Sequence, residues 1–218
     1  RKAAEHYLKA GEDAANNAGG SSAALTQAYS NFVAASYIDP TFGQAHYCVG
    51  NNAADLQKHH AAISSYRRAL ECENSPINLA RIHCNIGWQL HIVGETEEGL
   101  EHSSRAIELD PSLAHAWANL SIVYTSLNRT KTAVECARKA VELMPEAADM
   151  QTMLAFSLMF NREFAEGLKY FEARFRYKLH QYLAFPFTRW RGEKDKTLLI
   201  AADQGLGDTI SFARFVEK

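Results

Sequence analysis

The sequence predicts an all-α chain, a superhelical solenoid of about five helical hairpins, that ends in one strand-loop-helix. Three observations predict it. Small and apolar residues recur at a fixed spacing over most of the chain. Turn-forming residues punctuate the same period. After residue 196 the pattern changes to a short apolar run, a glycine pair and one amphipathic stretch. A sustained period of about 20–50 residues is the signature of stacked supersecondary units, none of which buries its apolar face alone.

The period is plainest in the alanines. Ala35, Ala69, Ala106 and Ala140 are separated by 34, 37 and 34 residues, and Arg174 follows after another 34. Pro111 and Pro145 are 34 apart, and Pro40 lies 71 before Pro111. In HAWANLSIVYTSLNRTKTAVECARKAVELMP, residues 115–145, Trp117, Leu120 and Tyr124 share one helical face, and Ala133, Ala137 and Ala140 share a second. These residues resemble the tetratricopeptide repeat, a helix-turn-helix unit of about 34 residues. The resemblance implies a right-handed solenoid stabilised by neighbour-to-neighbour interfaces. It makes Trp117 a packing residue whose truncation to alanine costs about 3–5 kcal/mol.

Each unit fills the same slots. His46, Val49 and Gly50 go with Ala62 and Tyr66; His83, Ile86 and Gly87 with Gly99 and Ala106; Gln151, Leu154 and Ala155 with Gly167 and Phe171. Small residues are expected where two helices cross closely. The three extra residues fall in ECENSPINLA, residues 71–80, where they lengthen a loop. The first unit has a longer loop at NNAGGSS, residues 16–22. In the third, Gly94 is placed to take a left-handed turn, Thr96 to cap the next helix, and Asp110-Pro111 to stop it.

Beyond Phe171 the repeat fades. The domain reading is a repeat region over 1–179, a linker over 180–196, and over 197–218 the start of an α/β domain whose remainder lies outside this sequence. TLLIAAD, residues 197–203, reads as a buried parallel strand, and DTISFARFVEK returns to helical spacing. The loop DQGLGDT lacks the Lys-Ser or Lys-Thr of a P-loop, and Ile210 stands where a dinucleotide fingerprint has its third glycine. Gly205 and Gly207 therefore read as loop geometry or as part of a ligand loop.

FEARF, RWRGE, the strand and DQGLGDTISFARF together resemble bacterial proteins that fuse such repeats to a glycosyltransferase with two Rossmann-like halves. Those enzymes are similar to heptosyltransferases and, distantly, to O-linked N-acetylglucosamine transferases. The resemblance implies sugar transfer from a nucleotide donor held mainly by a second half that this sequence does not include. Asp203 stands where that family more usually has Glu. Gly207-Asp208 matches a Gly-Asp pair at the mouth of the interdomain cleft, so the resemblance makes the Asp208 carboxylate a candidate base for an acceptor hydroxyl. An Asp before Thr209 and a helical run is also an ordinary helix cap.

Composition narrows the function classes. With 23 Lys+Arg against 25 Asp+Glu the formal charge is -2, so no net electrostatic pull draws the chain toward nucleic acid or anionic membrane. The basic residues gathered in RFRYKLH, 174–180, and TRWRGEK, 188–194, are interrupted by aromatics and read as a packed surface. No apolar run reaches the roughly 18 residues of a membrane span. Cys48, Cys72, Cys84 and Cys136 form no C-x-x-C pair and the nine histidines no ligand pattern. The expectation is free thiols in a reducing, cytoplasmic setting, with no metal and no cofactor in these 218 residues.

The first helices of such hairpins line the inner surface. The residues facing away from the packing slots are Gln44, Tyr47, Cys48 and Asn51, then Cys84, Asn85 and Trp88, then Asn119 and Ile122, then Thr152 and Phe156. Asn85 and Asn119 are 34 apart, and each carries a donor and an acceptor for the backbone of an extended peptide. The same asparagines also suit neighbouring backbone groups between repeats. The partner expected in the groove is a protein or peptide, presented to a transferase domain. The alternative is a scaffold whose terminal repeats self-associate.

Overall fold

The computed structural model describes residues 1–17, 19 and 21–171. Arg174, the 180–196 linker, the 197–203 strand, Gly205, Gly207 and Asp208 lie outside the described residues. Within them every regular element is a helix: α1 (Lys2–Asn16), α2 (Ser22–Ile38), α3 (Gly43–Asp55), α4 (His59–Cys72), α5 (Pro76–Ile92), α6 (Thr96–Leu109), α7 (Ala114–Ser126), α8 (Thr130–Leu143), α9 (Ala148–Phe160) and α10 (Phe164–Phe171). Consecutive helices pair as five hairpins, and each second helix also packs on the first helix of the next hairpin. The expected stack of helical hairpins is what the chain forms.

The hairpins close because small residues meet at each crossing. A methyl group built on Gly11 would stand 2.5 Å from Phe32, and one on Gly50 would stand 2.4 Å from Tyr66, so the aromatic ring lies directly on the bare backbone. Gly87 instead faces Ser103 and the carbonyl of Gly99, which a methyl would approach to 2.3 and 2.9 Å. On the second helices, Ala28, Ala62, Gly99, Ala133 and Gly167 occupy one repeating buried position. The core is accordingly a series of small clusters at successive interfaces, the largest built on Ala62, Ile63, Tyr66, Ile82, Ile86 and Leu90.

The turns inside hairpins two to five share one device. Gln57, Gly94, Asn128 and Arg162 have φ of 58, 90, 56 and 66°, in the left-handed region. The amide of the residue after each reaches back five positions: Lys58 to Ala53, Glu95 to Leu90, Arg129 to Tyr124 and Glu163 to Leu158, at 2.8–2.9 Å. This is the Schellman ending, which satisfies carbonyls that the helix leaves open. Gly94 fills the role expected of it. Thr96 does not: it is the first residue of α6, Glu95 holds the cap position, and no side chain caps the helix there.

The links between hairpins repeat as well. Asp39 accepts hydrogen bonds from the backbone and hydroxyl of Thr41, and Asp110 does the same for Ser112. His46, Trp117 and Gln151, at equivalent positions, each hydrogen-bond the carbonyl of a proline six residues earlier: Pro40, Pro111 and Pro145. The second link breaks this series, and it is not the lengthened loop that the sequence leads one to expect. Cys72 and Pro76 leave it one residue shorter than the others, and the extra chain instead adds a turn to the start of α5, which has 17 residues against 13 in α3, α7 and α9. There Glu73 accepts from the amides of Asn74 and Ser75 and from Asn78, and so ties the start of α5. His83 is left without a proline carbonyl and meets His102 of α6 instead, Nδ1 to Nδ1 at 3.0 Å.

Curvature follows from which helices touch. α5, α7 and α9 contact one another in succession, while the second helices make no comparable contact among the described residues. Long side chains bridge the wider outer gap, Arg67 to Glu98 at 2.5 Å and Arg138 to Glu166 at 2.7 Å. The first helices therefore line the inner wall.

Two outcomes are expected. Gln57→Gly and Arg162→Gly should each raise stability by up to about 1 kcal/mol, because only glycine adopts positive φ without a steric cost; thermal melting of each variant measures it. Trp117 is half-buried against Ala114, Ala118 and Met150, not enclosed. Trp117→Ala should thus cost about 3 kcal/mol, the low end for truncating a large aromatic, measured by urea unfolding.

Candidate functional site

The groove residues that the sequence singles out lie on α3, α5, α7 and α9, but Cys84 is not open to a ligand: it is 4% exposed, packed with Ala106 of α6 and Ala116 of α7. The others divide into a polar and an apolar half. In the polar half, α3, α4 and α5 converge on one hydrogen-bonded knot. The Tyr66 hydroxyl donates to Asn51 Oδ1 at 2.8 Å. Asn85 Nδ2 donates to Asn51 Oδ1 at 3.1 Å and lies 3.4 Å from the hydroxyls of Tyr47 and Tyr66. The rings of Tyr47 and Tyr66 sit 5.9 Å apart. Burial raises the Tyr66 phenol above its usual range, so it remains a hydroxyl donor at any physiological pH. The sequence marks Tyr66 for packing alone. Its hydroxyl reaches the groove because Gly50 lets the ring cross α3 at contact distance.

Asn119 of α7 donates from Nδ2 to the Cys84 carbonyl at 3.2 Å and to Cys84 Sγ at 3.3 Å. Both in-register asparagines thus use their amide donors inside the protein, one on a side-chain knot and one on the preceding repeat. Their Oδ1 acceptors have no protein partner among the described residues. What the pair presents to a ligand is acceptors, suited to peptide N–H groups.

Gln44 is exposed and turns its amide to Cys48 Sγ, at 3.5 Å. Gln44, Tyr47, Asn78, Arg81 and Ile82 line a cleft of about 120 Å³ between α3 and α5. Neither Asn78 nor Arg81 is among the expected groove residues; the added turn at the start of α5 carries Asn78 to the rim, and Arg81 follows one turn on. Thr152 bonds its own helix at Ala148 and adds no free donor.

The apolar half is a stripe. Trp88, Ile122 and Phe156 occupy equivalent positions on α5, α7 and α9, 34 residues apart. Trp88 and Ile122 are half-buried and Phe156 is 39% exposed. Phe156 meets Phe171 edge to face at 5.4 Å, and Trp88 lies 6.0 Å from the His91 ring.

Burial favours the protonated thiol at three of the cysteines. All four cysteines are free, and burial pushes Cys84 up to about 12 and Cys48 and Cys136 up to about 11. Among the described residues no cluster of three or more His, Cys, Asp or Glu could hold a metal, and no helix is long and apolar enough to cross a membrane. The His83–His102 pair is electrostatically loaded. Burial, then His102 and Arg105, hold His83 down to about 4. Burial also lowers His102, against the opposing pull of Glu98, whose carboxylate lies 3.8 Å from His102 Nε2.

Residues 114–146 match the family model of the tetratricopeptide repeat. The chain is similar to a probable UDP-N-acetylglucosamine--peptide N-acetylglucosaminyltransferase SPINDLY of Hordeum vulgare, 33% identical over 88 residues, which are 40% of this chain and 9% of that protein. It is also similar to small glutamine-rich tetratricopeptide repeat-containing protein 2 of Mycosarcoma maydis, 28% identical over 109 residues, 50% of this chain and 30% of that one. The chain thus spans less than a third of the length of either. Among solved structures, PilW, a type IV pilus biogenesis factor, superposes with a TM-score of 0.69 at 18% identity, covering 81% of this chain and 78% of that one. That likeness is one of fold.

The histidine pair sets a pH dependence. His83 is lowered in the folded protein, so the unfolded chain binds a proton more tightly. Its contribution to stability is complete above the unfolded value near 6.5 and is lost as pH falls through 6.5 toward 4, at up to about 1.4 kcal/mol per pH unit for one group. His83→Gln should flatten the fall in melting temperature between pH 6.5 and 4.5, relative to the unsubstituted chain.

Proposed function

We propose, on the premise of a tetratricopeptide-type solenoid, that this chain holds an extended peptide segment of a partner protein along its inner wall. The carrying observation is the alignment of Trp88, Ile122 and Phe156 beside the open amide oxygens of Asn85 and Asn119 on helices that converge. The acceptors take backbone N–H groups and give affinity with little demand on sequence, while the stripe takes apolar side chains at helix-to-helix intervals of roughly 8–10 Å. Four free thiols suit a reducing compartment, in keeping with a cytoplasmic site of action.

We further propose that the held segment is presented to a glycosyltransferase domain in a longer protein. The SPINDLY similarity and the DQGLGDT loop support this reading, and the heptosyltransferase-like resemblance of the tail supplies its roles. There Gly205 and Gly207 would open the loop, and Asp208 would accept the acceptor's hydroxyl proton. These 218 residues by themselves transfer no sugar, since the crevice of such an enzyme needs two halves.

The groove is tested with peptides selected against the purified chain by display, titrated calorimetrically. Phe156→Ala and Asn119→Ala should each weaken binding by about 1–3 kcal/mol, five-fold or more, at unchanged helical content. Asn85→Ala is the poorer probe, because it also removes the donor shared by Asn51, Tyr47 and Tyr66. Unchanged affinity in both preferred variants would refute the groove. In the longer protein, Asp208→Asn should abolish most sugar transfer at unchanged melting temperature, as Asn caps a helix about as well but accepts no proton. Full activity would remove Asp208 from the chemistry.

A further inference from the structure

At two interior steps of the stack an apolar side chain of the second helix is buried by the hairpin that follows, while the equivalent Tyr29 of α2 and Leu100 of α6 are half-buried. Ile63 of α4 is 5% exposed and clusters with Ile82, Ile86 and Leu90 of α5. Val134 of α8 is 6% exposed and clusters with Leu154 and Leu158 of α9. Leu168 of α10 stands 34 residues after Val134 and is 57% exposed. Phe164, one turn before it, is 56% exposed, and Phe160 at the end of α9 is 62% exposed. The surface that forms an interface on α4 and α8 is therefore open on α10, and three large apolar side chains face solvent there.

Another hairpin in register would not cover it. Leu154 and Leu158 come over Val134 from 20 and 24 residues further on; the same offsets from Leu168 reach Thr188 and Gly192. The apolar residues of the following chain fall elsewhere, at Tyr182, Leu183, Phe185, Phe187 and Trp190, around Pro186. We propose that residues 182–190 of this same chain dock on the Phe160, Phe164 and Leu168 face and end the solenoid as a cap outside the repeat. Continuity with the existing interfaces argues for the place, and proximity argues for the occupant. Only residues 172–181 lie between Phe171, the last described residue of α10, and the docking stretch. Even partly extended at up to about 3.3 Å per residue, they outreach the roughly 10 Å width of a helix. A segment tethered that closely is present at millimolar effective concentration, well above what a second molecule reaches in dilute solution.

Limited trypsin digestion of the full 218-residue chain, read by mass spectrometry, tests the cap. Cleavage after Arg189, inside the docking stretch, should be at least about tenfold slower in the unsubstituted chain than in two variants: Leu168→Glu in the face, and the double change Phe185→Ser, Phe187→Ser in the segment. The rate should be independent of protein concentration, with monomer mass by sedimentation. Should Leu168→Glu lose helical content, the segment variant decides alone, since its changes lie outside the hairpins. Equal rates in the unsubstituted chain and the segment variant would overturn the proposal. So would protection that disappears on dilution together with a dimer, which would make the occupant a second copy.

Discussion

Close approach of backbones at the crossing of each hairpin is the constraint on which the remaining architecture rests. Two helices packed at van der Waals contact leave no room for a side chain on both walls, so one wall is bare and the other carries whatever fills the space. Gly11 under Phe32 and Gly50 under Tyr66 use an aromatic ring; Gly87 opposite Ser103 brings the backbones of α5 and α6 nearer still. The choice has consequences beyond packing. A ring laid across Gly50 carries its hydroxyl through the hairpin to Asn51, and that hydroxyl organises the polar half of the groove. Phenylalanine at 66 would fill the same volume and leave Asn51 and Asn85 with fewer partners.

The added turn at the start of α5 shows how a small change in chain length redirects chemistry without disturbing the fold. Elsewhere the equivalent side chains, His46, Trp117 and Gln151, tie down a proline carbonyl and so fix the angle between successive hairpins. At α5 the loop is tied by Glu73 instead, and burial is outweighed there by hydrogen bonds from the Ser75 and Asn74 amides and from Asn78, which hold its carboxyl below the usual range. His83, released from that duty, pairs with His102 in a half-buried site where a second charge is unwelcome. Structural work thus moves from a histidine to a glutamate, and a titrating pair appears at the middle of the stack.

Function in such an array belongs to a surface assembled from several repeats, no one of which contains it. The first helices supply one or two side chains each, and curvature brings these together because the inner helices touch while the outer ones are held across a gap by arginine-glutamate pairs. Exposed pairs of this kind add little stability, so the bend rests on the small residues of the hairpin interfaces and not on the charges that decorate them. The asparagines show the economy of the arrangement: their donors brace adjacent repeats, and their acceptors stay open.

Most of the fold was legible in the one-dimensional pattern. Ala35, Ala69, Ala106 and Ala140, with the prolines between them, determine the hairpins and their number, because repeat interfaces are local and each unit must satisfy the same packing slots; that the extra three residues extend α5 and not a loop was decided by the structure. The faces of α3, α5, α7 and α9 follow from helical geometry alone. What the sequence by itself could not decide is how the polar atoms on those faces are spent. Whether Asn85 points at a ligand or at Tyr66, and whether His83 meets a proline or His102, depends on helices 19 or more residues away arriving within hydrogen-bonding distance. Likewise Gln57 and Arg162 look like ordinary polar turn residues, and only the returning chain, which needs its amide five positions back, forces them to positive φ. Periodicity records which residues are buried between neighbours; hydrogen-bond partners are set by distances that exist only once the hairpins have closed.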